Sequence, residues 1–214
     1  MYVRFSNTPI TSQLRGRSQI GAGMQTDEGA TRQILEPNVL LKTADVLAHI
    51  GEHEITHGLY GWWFDQSLPE VPRDGCRELS GRHLLYIGIA PPKDRPIKTG
   101  AATPIKRRLW RNHLRGSVRS STLRLSLAAL LKDRLGFGFY RDAGGRARMA
   151  KEHEETLTAW IEDHARISVT HHDSPWQLEE ALVRNGPPLP LNLSMSRHPF
   201  KPTLSALRKA LGRD

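Results

Sequence analysis

The spacing of apolar and polar positions changes period along the chain and lays out a small α+β domain. Gly58 to Phe64 (GLYGWWF) is aromatic-rich and predicts a strand. His83 to Ala90 (HLLYIGIA) predicts a second strand, apolar enough to be buried on both faces and stopped by Pro91-Pro92. Pro69, Pro72 and Asp74-Gly75 mark the long loop between them. Thr103-Pro104 opens a helix to about Arg115, with Gly116 at its end. Ser120 or Ser121 caps the next helix, in which Leu123, Leu127, Leu130 and Leu131 share one face. Gly136 to Tyr140 predicts a short extra strand turning at Gly144-Gly145. Glu152 to Ala165 predicts a helix presenting Leu157, Trp160, Ile161 and His164, and Arg166 to His172 a third main strand. Ser174-Pro175-Trp176-Gln177 has the form of a capping box with proline at the first helical position. Thr203 to Gly212 predicts a basic terminal helix. Upstream, Thr43 caps a short helix from Ala44 to Ile50, ended by Gly51, and residues 1 to about 36 are polar and aperiodic, a loose extension.

Composition narrows the class. The chain has 214 residues, 38% hydrophobic and 25% charged, which fits a soluble globular protein. Arg and Lys interrupt every apolar stretch, and the N-terminus lacks the apolar run of a secretion signal. Cys76 is alone, so neither an internal disulfide nor a cysteine-based zinc site is available, and a cytoplasmic location is expected. The net charge of +9 is concentrated: Lys93 to Arg124 carries ten basic residues against the single acid Asp94, and the rest of the chain is balanced. Such concentration predicts a polyanion surface, most simply nucleic acid, against the plainer reading of a solvated face. The candidate contacts are Lys106, Arg107, Arg111, Arg115, Arg119 and Arg124.

Two motifs overlap in HEITHGLYGWWF, His53 to Phe64. HEITH has the His-Glu-x-x-His form of a zinc hydrolase, using His53, Glu54 and His57. That chemistry needs both histidines one helical turn apart on a stable helix. Gly51 and Gly58 flank the segment, Ile55 and Thr56 are β-branched, and Tyr60 and Trp63 stand where the extended pattern wants glycine and a third histidine. The segment is therefore expected to be a turn or an extended lead-in to the strand.

The other half of that stretch carries a resemblance. GLY (Gly58-Leu59-Tyr60) and YIG (Tyr86-Ile87-Gly88) resemble the two strand signatures of the GIY-YIG nuclease family. In the family's order there follow a helix with Arg108 and His113, a later helix with Glu179, and Pro190-Leu191-Asn192, the asparagine thirteen residues beyond the glutamate. The chain is also similar to a bacterial GIY-YIG nuclease-like subgroup whose members read GVYxWWF, LLYVGI, HxxG, STLR, PWELEE and PLNL. The counterparts here are GLYGWWF, LLYIGIA, HLRG, STLR, PWQLEE and PLNL.

The resemblance implies a small domain with a three-stranded antiparallel sheet flanked by helices. Its boundaries would be 1–56 for an extension with a short helix, 57–200 for the nuclease-like domain and 201–214 for a basic C-terminal helix. It implies a metal-dependent endonuclease, monomeric or weakly dimeric, acting on nucleic acid, DNA before RNA. One Mg²⁺ or Mn²⁺ would be held by Glu179, with Glu180 the other choice of register. Tyr60 would accept the proton of the attacking water, Tyr86 position water or phosphate, and Arg108 bind the scissile phosphate. His113 would assist proton transfer, and Asn192 hold the loop or a phosphate oxygen. One departure stands out: Arg108 is five residues before His113, where the family spacing is four, so on an ideal α-helix the two diverge by about 140°. Arg111 is the second candidate. A non-catalytic nucleic-acid-binding protein on the same fold is the alternative that this departure supports.

Overall fold

The computed structural model describes residues 27–68, 70–93 and 104–213. Expectations for residues 1–26, Pro69, Thr103 and most of the basic stretch 94–103 lie outside the described residues. Helix α1 spans 27–35 and α2 spans Val46–Glu52. The sheet comprises β1 (Gly58–Phe64), the two-residue β2 (Glu78–Leu79), β3 (Arg82–Ala90) and β6 (Ala165–His171), antiparallel in the order β2-β3-β1-β6. Between β3 and β6 come α3 (Pro104–Lys106, continuing as a π-helix through Arg107–Leu114), α4 (Thr122–Leu135), the hairpin β4 (Phe139–Arg141) and β5 (Ala147–Met149), and α5 (Lys151–His164). Helices α6 (Pro175–Asn185) and α7 (Lys201–Ala210) follow β6. The three long strands are those expected, with β2 as a short addition at the edge.

Helices cover both faces of the sheet, so β1 is buried along its whole length. Tyr60, Trp62, Phe64, Leu85 and Tyr86 face one cluster with α2, α3, α4, α5 and Leu204 of α7. Leu59, Trp63, Leu84 and Ile87 face the other, formed with α1 and α6. Alternation along a strand produces this split. A bulge interrupts it: Trp62 pairs with Tyr86 but Trp63 with Leu84, so Leu85 and Tyr86 share a face. Gly61 does not leave an open side, because a Cβ there would meet Ser168 Oγ at 2.6 Å and Leu84 Cδ1 at 2.8 Å.

Two local expectations need correction, and a third is met. Residues 27–35 are not loose: Ala30, Ile34 and Leu35 pack into the second core, and Ile34 O accepts from Ser168 Oγ at 3.1 Å. Their helical spacing is short and bounded by polar residues, which hides it in the sequence. Ser174 precedes α6 but makes no side-chain cap, because Pro175 rather than a capping hydroxyl sets the helix start. As expected, HEITH is not a zinc helix: α2 ends at Glu52, His53 is its C-cap, and Glu54 takes a left-handed φ of 49°. Glu54 and His53 are exposed, while His57 Nε2 lies 3.4 Å from Asp173 Oδ1. No helix among the described residues is long and apolar enough to cross a membrane.

Candidate active site

The site grows from the middle of the sheet. Tyr60 of β1 is fully buried, opposite Gly88 of β3. A Cβ at Gly88 would lie 2.6 Å from the Tyr60 hydroxyl, so the glycine of YIG leaves the space that the phenol occupies. Trp62 is two residues on and directly opposite Tyr86, which places both tyrosines on the same face. Above that face lies α3, which brings Arg108 and His113 to a single atom: Arg108 Nε donates to the Tyr60 hydroxyl at 3.2 Å, and His113 Nε2 is 2.9 Å from it.

The π-helix resolves the spacing that the sequence left open. A five-residue separation makes one turn of an i→i+5 ladder, whereas four makes one turn of an α-helix. Arg107–Leu114 is wound in this way, and Arg115 N continues the pattern by donating to Trp110 O at 2.7 Å. Arg108 and His113 therefore share a face despite the extra residue. Arg111 is exposed and makes no hydrogen bond to Tyr60.

Hydrogen-bond accounting fixes the protons. The arginine N–H can only donate, so the Tyr60 oxygen accepts it and turns its own hydrogen to His113 Nε2. His113 then carries its proton on Nδ1, which donates to Ser121 Oγ at 2.7 Å. Ser121 Oγ also accepts from Arg124 N at 3.1 Å as the N-cap of α4. Burial, then the charges of Arg108 and Arg124, hold His113 well below the usual histidine range, so it is neutral. Burial pushes the Tyr60 phenol upward, with Tyr86 adding to the rise and Arg108 opposing it, so Tyr60 is a phenol rather than a phenolate. Tyr86 is also raised, chiefly by burial, and lies within hydrogen-bonding reach of Arg108 and Thr122.

Glu179 approaches from α6, and both tyrosines feel its charge. Among the described residues its carboxylate has no hydrogen bond or ion pair; burial pushes it up to about 7, against the pull of Arg108. Glu180 is exposed and paired with Arg184 at 2.9 Å, which separates the two registers. An unpartnered, partly buried carboxylate beside a cation-bearing cluster offers the hard oxygen donor that Mg²⁺ or Mn²⁺ takes. A second group, His57, His171 and Asp173, has ligand atoms within 4.8 Å of one another, but it contains none of these residues and Asp173 is exposed.

Two more predicted residues take structural positions. Asn192 bonds both backbone groups of Ile87, accepting from its N at 2.9 Å and donating to its O at 2.8 Å. It thus ties its own loop to the buried edge of β3 beside Tyr86. Arg124 is not a nucleic-acid contact: it is fully buried and pairs with Glu154 at 2.7 Å. It also donates to His113 O and to Thr158 Oγ1, tying α3, α4 and α5 together. Arg115 pairs with Glu162 and Arg119 with Asp142, whereas Lys106, Arg107 and Arg111 are exposed. Ser121 was legible as a cap, but its hold on His113 was not, because that contact depends on how α3 ends.

An antiparallel sheet carrying two tyrosines, roofed by an Arg–His helix and approached by a glutamate, defines a nuclease-type domain. The chain belongs to the GIY-YIG family: the family model of the GIY-YIG catalytic domain matches residues 58–210, from the first residue of β1 to the end of α7. Comparisons with curated proteins and with solved structures give no match.

Proposed function

We propose that the protein is a divalent-metal-dependent endonuclease that hydrolyses phosphodiester bonds in DNA. The observation that carries this is the convergence of Arg108 and His113 on the Tyr60 hydroxyl, at 3.2 and 2.9 Å, beside the unpartnered Glu179. The family membership supplies the nuclease class; metal, substrate and the residue roles are our reading. Mg²⁺ or Mn²⁺ on Glu179 would supply Lewis-acid activation of water and charge neutralisation at the leaving oxygen.

Arg108 is the phosphate ligand, since its Nε is engaged by Tyr60 while its terminal nitrogens can fork onto two phosphate oxygens. Tyr60 is sealed from solvent beneath it, so the phenol becomes reachable only as Arg108 turns toward the substrate. Tyr60 then accepts the water's proton as it passes its own to His113 Nε2, a relay that never requires a free phenolate. A phosphate on Arg108 cancels one of the charges that hold His113 down and so strengthens the base when substrate is present. Ser121 keeps the accepting nitrogen aimed at Tyr60. The altered Arg-to-His spacing was the main support for a non-catalytic binding protein, and the π-helix removes it.

The test is incubation of purified protein with Mg²⁺ and a panel of labelled DNA and RNA structures. Metal-dependent internal cleavage of DNA, abolished in Glu179→Ala with binding retained, is the expected result. Binding without cleavage of any substrate would favour the non-catalytic alternative. Cleavage lost in Glu180→Ala but not in Glu179→Ala would place the metal ligand one residue on.

A further inference from the structure

The described residues hold a second basic feature, drawn mostly from outside the segment that carries the sequence's excess charge. A cavity of about 400 Å³ opens between α4, the β4–β5 hairpin and the end of α7. Arg119, Arg141, Arg146, Arg208, Lys209 and Arg213 line it. These cations do not have equal freedom. Arg141 is spent on structure: it donates to Gly212 O at 3.1 Å, Lys209 O at 2.9 Å and Leu211 O at 2.8 Å, the carbonyls that the end of α7 leaves open. That clamp fixes α7 against the hairpin and makes the cavity wall rigid. Arg119 shares Asp142 with Arg148, at 3.5 and 2.9 Å, so that carboxylate is already committed.

Arg208 is different. It is partly buried, and among the described residues no carboxylate pairs with it. Burial lowers the guanidinium's affinity for its proton, and the nearest opposing influence is Tyr86 of the active site. Desolvated arginines in folded proteins are normally paired, because an isolated charge loses hydration and gains nothing. Arg208, unpaired among the described residues and lining an open basic cavity, is preorganised for an anion supplied from outside.

We propose that this trough is a track for the substrate's backbone, in which Arg208 grips a phosphate flanking the scissile one and Arg146, Lys209 and Arg213 follow the strand outward. The inference rests on the nucleic-acid reading above and adds to it the direction in which the strand leaves the site. It also gives α7 a function beyond packing: the helix brings Arg208 to the strand as it leaves the catalytic cluster.

The experiment measures binding of a labelled duplex DNA oligonucleotide across a salt series, with Ca²⁺ in place of Mg²⁺ to suppress cleavage. Arg208→Gln should bind more weakly and reduce the log–log salt slope by about 0.9, the value for one duplex phosphate contact. Arg208→Lys should restore most of the slope, since it keeps the charge. Lys42→Gln, an exposed cation remote in sequence from the trough, should leave the slope unchanged. A parent slope retained in Arg208→Gln and in the triple variant Arg208→Gln, Lys209→Gln, Arg213→Gln would overturn the trough and leave the nuclease reading standing. No binding by the parent protein to any nucleic acid would overturn both.

Discussion

Replacing Glu179 by glutamine should make the protein more stable while removing its activity. The carboxylate rises from 4.5 to about 7 on folding, chiefly through burial, and has no hydrogen-bonding partner among the described residues. The folded state therefore binds more protons than the unfolded state between those two values. Stability is fully present below the unfolded value, falls as pH rises through this window, and carries the whole penalty above about 7. At about 1.4 kcal/mol per unit the ceiling is about 3 kcal/mol, and part-exposure of the carboxylate brings the expectation to about 2 kcal/mol. Glutamine keeps the shape without the charge. In chelator at pH 8.5, Glu179→Gln should melt higher than the parent by roughly 4–8 °C, and at pH 5 the two should coincide. Mg²⁺ should then raise the parent's melting temperature and leave the variant's unchanged. The difference between the two proteins cancels the other groups that titrate in this range. A variant that is equally or less stable at pH 8.5 would refute the argument, because it would mean that the carboxylate is satisfied by a partner.

The same carboxylate links metal to protons: apparent Mg²⁺ affinity, measured by titration at fixed pH, should weaken about tenfold per unit below about 7. Tyr60→Phe deletes only the hydroxyl shared by Arg108 and His113 and should cleave at least ~100-fold more slowly with folding unchanged, as read by single-turnover kinetics and circular dichroism. Ser121→Ala removes both the α4 cap and the His113 acceptor; it should cost about 1 kcal/mol in denaturant unfolding and lower the cleavage rate beyond that. Arg124→Met leaves the buried Glu154 side unpaired and should destabilise by about 3–5 kcal/mol, while the salt slope of whatever folded protein remains stays as in the parent.

Period and punctuation carried the strands and most helices. GLYGWWF and HLLYIGIA are strands because every position is apolar, small or aromatic and both faces are covered, and glycines or prolines close them. Ser121 and Gly136 end α4 as local chemistry dictates, the first by capping and the second in a left-handed conformation. Tertiary partners decide what was not legible. Helix α1 is short and polar-flanked, and is held by Ile34 and Leu35 against strands far along the chain. The charge of Arg124 looked like surface because its partner Glu154 lies thirty residues away, beyond any helical pairing rule. Charge counting located the basic surface by sequence density, whereas folding neutralises part of that segment and brings Arg208 and Lys209 of α7 into one cavity with Arg119 and Arg146.

The Arg-to-His spacing shows how a departure from pattern is to be weighed. On an α-helix the extra residue would separate Arg108 from His113, and the site would be broken. The backbone instead accepts a rare winding over Arg107–Leu114. Neighbours determine that choice: His113 is enclosed by the rings of Tyr60, Trp62 and Tyr86, at 5.4, 5.8 and 6.3 Å between centroids, and anchored through Ser121 and Arg124. Gly116 then ends the segment where a Cβ would meet Asn112 O at 2.2 Å, so the chain turns sharply as soon as the histidine is placed. An irregular helix is tolerated when what it positions is held more firmly than the helix itself. The winding is local, and what it brings together is the Arg108–Tyr60–His113 cluster, which is why it belongs here and would be selected against elsewhere in α3.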